Sequence, residues 1–290
     1  MPLEMSAVAA TLPLVTDEIW TQRIEASLAE VRGWEDRTRD EPADIEAHSS
    51  LGADDARDPA FTISSMAWFG LQSSVDHLAQ LVDILTTPGG APLRPHSPFT
   101  LTRTALLAAS QTVWLLSDNH QDERLRRTAL VYKDEWENHL RYLNDYKQDP
   151  VIIASLDADI IEGLDDQIAK LNLQLAGAKL AKLGQFSSTK LLDDAARWVS
   201  RHEADGWQRR ALLHEWRMGS GAAHARQWPL NYRSGKVTID RADKMTVRWL
   251  TTTFQEIGTS MGAATLMARE GFRLWDECRA PQDQKLPPPR

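Results

Sequence analysis

The chain has 290 residues, of which 42% are hydrophobic and 26% charged, and its formal net charge is -8. That is the make-up of a globular protein with ample length for a core, and its acidic balance argues against broad non-specific binding to nucleic acid, which needs a basic field. A single cysteine, Cys278, excludes an internal disulfide framework and fits a reducing cytoplasm, and no apolar run approaches the ~18 residues of a membrane span.

Residues 1–15 have no periodicity and none of the basic and apolar features of a signal peptide. A helix is predicted from Thr16, where Asp17 and Glu18 suit the positive N-terminal end and Trp20, Ile24, Leu28 and Val31 form a stripe. Residues 38–57, rich in Asp, Glu, Ala and Ser, read as an acidic loop. The next helix is expected to start at Asp58-Pro59, a cap followed by proline, and to run through Leu71, Val75, Leu78, Val82 and Leu85 to a stop at Gly89-Gly90. Ser97-Pro98 repeats the cap-plus-proline start and opens a helix through Leu116. A long charged helix then runs from Gln121 to just before Pro150.

From Val151 the three-four rhythm continues through Ile161, Leu164, Ile168, Leu171 and Leu175 to Gly184, read as a C-terminal cap. Ser187-Ser188 opens a short helix through Trp198, and another helical stretch covers Trp207 to Trp228. Val237-Thr-Ile is expected to be extended, with at most a short hairpin around it. A last long helix carries Val247, Leu250, Phe254, Ile257, Met261, Ala264 and Ala268. The eleven tryptophans read as fillers between helices. The fold class is therefore all-α, a bundle of about seven or eight helices. Residues 1–57 form an N-terminal helix and acidic loop, 58–279 the helical bundle domain, and 280–290 a disordered tail.

The segment that carries chemistry is Arg217-Met-Gly-Ser-Gly-Ala-Ala-His224. On a continuous helix Arg210, His214, Arg217, Gly221, His224 and Trp228 fall on one face, with Arg217 and His224 two turns, roughly 10 Å, apart. The glycines between them cost a helix about 1 kcal/mol each relative to alanine. Gly219 and Gly221, together with Gly258 and Gly262, are therefore expected to be bare strips that pack on each other, within the chain or across a dimer axis.

Arg217, six residues and His224, on a terminal helix pair of an all-α chain, resemble the Arg-x(4–6)-His signature of the HEPN superfamily. Trp216 through His224, followed by Trp228, and the earlier stretch Arg103 to Ser117 also resemble a group of actinobacterial helical proteins with no assigned activity. The HEPN resemblance implies metal-independent RNA binding or cleavage, in a defence or toxin setting, at a composite site between two copies of the chain. It makes Arg217 and His224 the catalytic pair, the arginine holding phosphate and the histidine moving a proton. Met218 departs from the polar residue that follows the arginine in active members. Ser220, His214, Arg210, Arg126 and Arg127 are the expected substrate contacts. RNA and a second copy are the expected partners, with no cofactor and no membrane.

Other patterns are weaker. His214-Glu215 lacks the second histidine of a zinc motif, since Met218 stands there, and Glu135 with His139 departs from the spacing of a di-iron carboxylate site. Arg124, Arg126 and Arg127 form a basic run that holds phosphate if free, or a solvated face if balanced by Asp122, Glu123, Asp134 and Glu135. Two rivals to the RNA reading follow. In one, Arg217 and His224 pair with carboxylates as a structural node of a non-catalytic interaction or scaffold protein. In the other, Arg217 holds a small anionic ligand in an aromatic-lined pocket.

Overall fold

The computed structural model describes residues 17–88, 94–233, 236–240, 246–250 and 252–281. The expectations for residues 1–15, for the Gly89-Gly90 stop and for the tail from residue 282 on lie outside them. In order, the described elements are α1 (Asp17–Arg39), α2 (Ser50–Arg57), α3 (Ile63–Thr86), α4 (Ser97–Leu116), α5 (Gln121–Gln148), α6 (Pro150–Ala154), α7 (Ala158–Leu175), α8 (Ala178–Ala181), α9 (Ser188–Val199) and α10 (Trp207–Ala223). A 3-10 turn (Trp228–Tyr232), an antiparallel hairpin of β1 (Lys236–Asp240) and β2 (Thr246–Leu250), and α11 (Phe254–Arg279) complete the chain. The protein is all-α apart from that hairpin, in which Thr238 pairs with Arg248. The second strand holds Val247 and Leu250, so the last helix starts at Phe254, later than its apolar rhythm suggests.

Several boundaries move for local reasons. Part of the expected acidic loop is α2: the Ser49 side chain accepts a hydrogen bond from the Gly52 N–H at 3.0 Å, and Leu51 turns inward. Asp58 caps the end of α2 rather than the start of α3. The start of α3 is capped from further back, by Asp55 Oδ1 accepting from the N–H groups of Ile63 (2.8 Å) and Ser64 (3.2 Å). The rhythm from Val151 to Gly184 is broken into three helices. The Ser155 N–H and hydroxyl both donate to the Ile152 carbonyl, closing α6 after five residues. Two local starts agree with the sequence: α4 runs from Ser97 through Leu116 and Ser187 caps α9, while Asp149, ahead of Pro150, caps α6 without having been singled out.

The described structure divides into two compact units. The first comprises residues 1–41, 73–106 and 210–268, the second 42–72, 107–209 and 269–290. The 58–279 bundle of the sequence reading thus contains parts of both. In the first unit Ile24, Val31, Leu78, Leu81, Leu212, Ile257 and Met261 are buried, and a buried Thr102–Ser260 hydroxyl pair at 2.6 Å ties α4 to α11. In the second, Leu143, Leu164 and Leu171 form a cluster with Trp136 and Ile168 against it. The same unit buries the Arg124–Asp54 ion pair, with Nε to Oδ2 at 2.7 Å and Nη2 to Oδ1 at 2.9 Å. Trp68, Trp114 and Trp275 are buried as expected of core fillers, but Trp207 and Trp228 are exposed.

Candidate functional site

The burial pattern of α10 follows its sequence period. Leu212, Met218, Gly219, Gly221 and Ala222 are buried, while Arg210, His214 and Arg217, with His224 just past the helix end, are exposed. Steps of three and four place these four polar residues on one side, as predicted. Met218 falls about 100° round the helix from Arg217, on its buried flank, so the apolar residue after Arg217 answers to packing.

Gly221 departs from the expected face because the chain folds back over it. The Ala225 N–H donates to the Ala222 carbonyl (3.2 Å) and the Arg226 N–H to the Gly221 carbonyl (2.8 Å), with Ala225 at φ +51°. This is a Schellman-type helix end with alanine in the position glycine usually takes. The reversal lays the 3-10 turn on the helix: a Cβ on Gly221 would sit 2.3 Å from Pro229 Cγ and 3.1 Å from Trp228 Cζ2. Gly221 is four residues after Arg217 and three before His224, so the Trp228 ring edge covers the helix between them. The indole remains 44% exposed, and Tyr232, 71% exposed, meets it edge-on at 6.2 Å.

Neither the Arg217 guanidinium nor the His224 imidazole has a hydrogen-bond or ion-pair partner among the described residues, so the carboxylate partners of a structural node are missing there. Ser220 is half-buried, and its carbonyl accepts from the His224 N–H at 3.1 Å. The glycine strips do not meet within the chain. Gly219 lies against α4, where a Cβ would come 2.6 Å from Arg103 Cβ and 2.8 Å from the Phe99 carbonyl oxygen. Gly258 is covered by Trp20 and Ile24 of α1, and a Cβ on Gly262 would meet nothing within 4 Å among the described residues.

Arg126 and Arg127 lie on α5 in the second unit, and both spend their donors there. Glu123 takes Arg126 at 2.6 and 2.7 Å and Arg127 at 2.9 Å, and Arg127 also donates to the Trp114 carbonyl and Asp118. The two guanidinium groups hold the Glu123 carboxyl at about 2, well below its ordinary range, against the opposing effect of burial. Both arginines are thus ion-paired, Arg126 while still half exposed, and Arg124 is buried rather than part of a solvated face.

A pocket of about 230 Å³ lies beside the buried flank of α10, with Phe99, Glu215, Met218, Arg233 and Glu256 in its walls and His214 at its edge. Burial pushes the Glu215 carboxyl up to about 7, against the pull of the Ser260 hydroxyl and Arg233. Arg233 is 3% exposed, and its guanidinium carbon lies 3.6 Å from the centre of the Phe99 ring. Its Nη1 donates to the Pro95 carbonyl, while Nε and Nη2 are buried without partners among the described residues. Burial lowers the pKa of this guanidinium, opposed by Glu256 and Glu215. Glu256 also closes a capping box with Thr253 at the start of α11, the two reciprocal bonds each 3.2 Å.

Sequence reasoning passed over this pocket. The available signal was Glu215 itself, which falls in the inward-facing row Leu212, Glu215, Met218 and Ala222 at three-four spacing. Among the described residues no group of three or more His, Cys, Asp or Glu side chains is placed to hold a metal ion, and no helix is long and apolar enough to cross a membrane. Compared with models of protein families, with curated proteins and with solved structures, the chain matches none.

Proposed function

We propose that the exposed side of α10 is a surface for single-stranded RNA, on which Arg217 and His224 cleave the strand without a metal ion. The observation that carries this reading is the placement of Trp228, an exposed ring over the helix between an exposed arginine and an exposed histidine, neither of them partnered among the described residues. Single-stranded RNA is recognised by stacking unpaired bases on aromatic rings, worth about 1–3 kcal/mol per base, with basic groups on its backbone. Trp228 and Tyr232 supply the rings, Arg217 a planar fork for phosphate, and His224 an imidazole that can move a proton. The residue types match those that the HEPN resemblance implies.

In the reaction, His224 takes the proton of a ribose 2′-hydroxyl, and that oxygen attacks the adjacent phosphorus. The bond from phosphorus to the 5′-oxygen breaks, the leaving oxygen takes up a proton, and the phosphate remains as a 2′,3′-cyclic ester. Arg217 stabilises the charge that builds on the phosphate oxygens. Within one chain Arg217 and His224 stand about 10 Å apart along the helix axis. A second copy related by a two-fold axis brings the arginine of one chain to the histidine of the other.

The test is incubation of the purified chain with single-stranded RNA in EDTA. Expected are fragments with 2′,3′-cyclic phosphate ends, while DNA of the same sequence survives because it lacks the attacking hydroxyl. RNA left intact, or cleavage that EDTA abolishes, overturns the proposal.

A further inference from the structure

An aromatic groove in the second unit takes no part in the RNA chemistry above. It has a volume of about 430 Å³, with Met66 and Phe69 of α3 on one side and Tyr132, Glu135 and Trp136 of α5 on the other. Its rings are held in place from behind. The Phe61 ring centre lies 5.3 Å from that of Tyr132 and 5.4 Å from that of Trp136, and those two rings stand 6.0 Å apart at 62°. The Tyr132 hydroxyl donates to the Thr62 carbonyl at 3.4 Å. Phe69 is 63% exposed, so an aromatic face is open to whatever enters.

Trp136 differs from the other tryptophans of the core. Trp114 and Trp198 donate their indole N–H groups to Asp194 and Glu270. Those of Trp20, Trp68, Trp216 and Trp275 are shut away from water without an acceptor among the described residues. The Trp136 N–H is also without an acceptor among the described residues, but it is not shut away. Glu135 beside it is exposed and has no ion-pair partner among the described residues.

An open indole donor between aromatic rings, with an acidic neighbour, suits a polyproline II strand. That helix has no internal hydrogen bonds, so its carbonyls are free to accept, and its stiff rings lie on aromatic faces with little loss of entropy. A segment of this chemistry, Lys285-Leu-Pro-Pro-Pro-Arg290, has a cation at each end. It follows Pro281, which bridges to Ser49 within the same unit. From Ser49, α2 leads about 9 Å to Asp55, whose carboxylate accepts from the Ile63 N–H at the start of α3, and Met66 is about 5 Å further along. Residues 282–290 span up to about 28 Å as polyproline II, enough to bring the prolines to the groove.

We propose that residues 285–290 dock in this groove of their own chain. The prolines lie on Tyr132, Trp136 and Phe69, a carbonyl of the segment accepts from the Trp136 indole N–H, and a flanking cation, Lys285 or Arg290, meets Glu135. Docking in this way ties the end of α11 to α3 and α5.

Trypsin tests this on the full chain, because it cuts after Lys285 and a docked strand hides that bond. Loss of Leu286–Arg290 is followed by mass spectrometry beside a free synthetic peptide of residues 280–290. The bond in the protein is expected to be cut on the order of tenfold more slowly than in the peptide, at a rate independent of protein concentration. Phe69→Ser should speed the cut about fivefold and Glu135→Gln about threefold, with melting temperatures confirming that both fold. Should Phe69→Ser fail to fold, Glu135→Gln decides. A rate equal to that of the peptide, protection unchanged in the folded variants, or protection that grows with protein concentration, the mark of a second copy's tail, overturns the proposal.

Discussion

At the residue scale, the reversal that places Trp228 depends on one strained alanine. Ala225 holds φ +51°, a conformation that costs an L-residue roughly 1–2 kcal/mol and costs glycine almost nothing. Ala225→Gly is expected to raise stability by about 1 kcal/mol in urea denaturation, an offset to the greater freedom of glycine in the unfolded chain being included. Glu215 makes a prediction with a sign. Its folded value, about 7, lies above the ordinary 4.5, so folding takes up a proton between those values and stability falls as pH rises through that window. Glu215→Gln escapes this loss. It should match the wild type near pH 4 and exceed it by roughly 1–3 kcal/mol at pH 8, a gap that thermal melts at the two pH values will read. The Arg124–Asp54 pair makes the opposite kind of prediction. Asp54→Ala strands a buried guanidinium and should cost about 3–5 kcal/mol, while an apolar replacement of both residues should recover most of it.

At the scale of elements, the glycines separate close packing from bare surface. Gly219 brings α10 against the Phe99 carbonyl of α4, so Gly219→Ala should overpack the crossing and cost about 1–3 kcal/mol. A methyl group at Gly262 would meet nothing within 4 Å among the described residues, so Gly262→Ala should instead gain about 1 kcal/mol from helix propensity. Equal melting temperatures for the two variants would count against this assignment. The same contrast shows what was legible beforehand. Ser187 ahead of α9, Ser97-Pro98 at the start of α4 and the polar row of α10 were readable because their signals lie within a turn or two. The capping of α3 from Asp55, eight residues upstream, was not, nor was α2, whose Ser-Leu-Gly-Ala-Asp-Asp-Ala-Arg carries almost no apolar stripe. Arg233 escaped notice for a further reason: it follows an aperiodic segment, and Phe99, Glu215 and Pro95 reach it from distant parts of the chain.

At the scale of the whole molecule, an acidic chain is proposed to engage RNA through a local row of groups rather than a basic field. The net charge of -8 makes sliding along nucleic acid unfavourable, so affinity should rest on stacking and a few phosphate contacts, with a shallow salt dependence. The exposure of Arg217 and His224 separates this account from one in which they hold the fold together, because removing an exposed, unpartnered side chain leaves stability nearly unchanged. The composite site makes the sharpest demand. The most direct measurement is RNA cleavage in EDTA by wild type, Arg217→Ala, His224→Ala and an equimolar mixture of the two variants, all confirmed folded by their melting temperatures. The account predicts cleavage by wild type, losses of about 10²–10⁴-fold in His224→Ala and a comparable loss in Arg217→Ala. The mixture should regain activity, since a mixed pair holds one site with both groups intact. Single variants as active as wild type, or a mixture as inactive as its components, would contradict it.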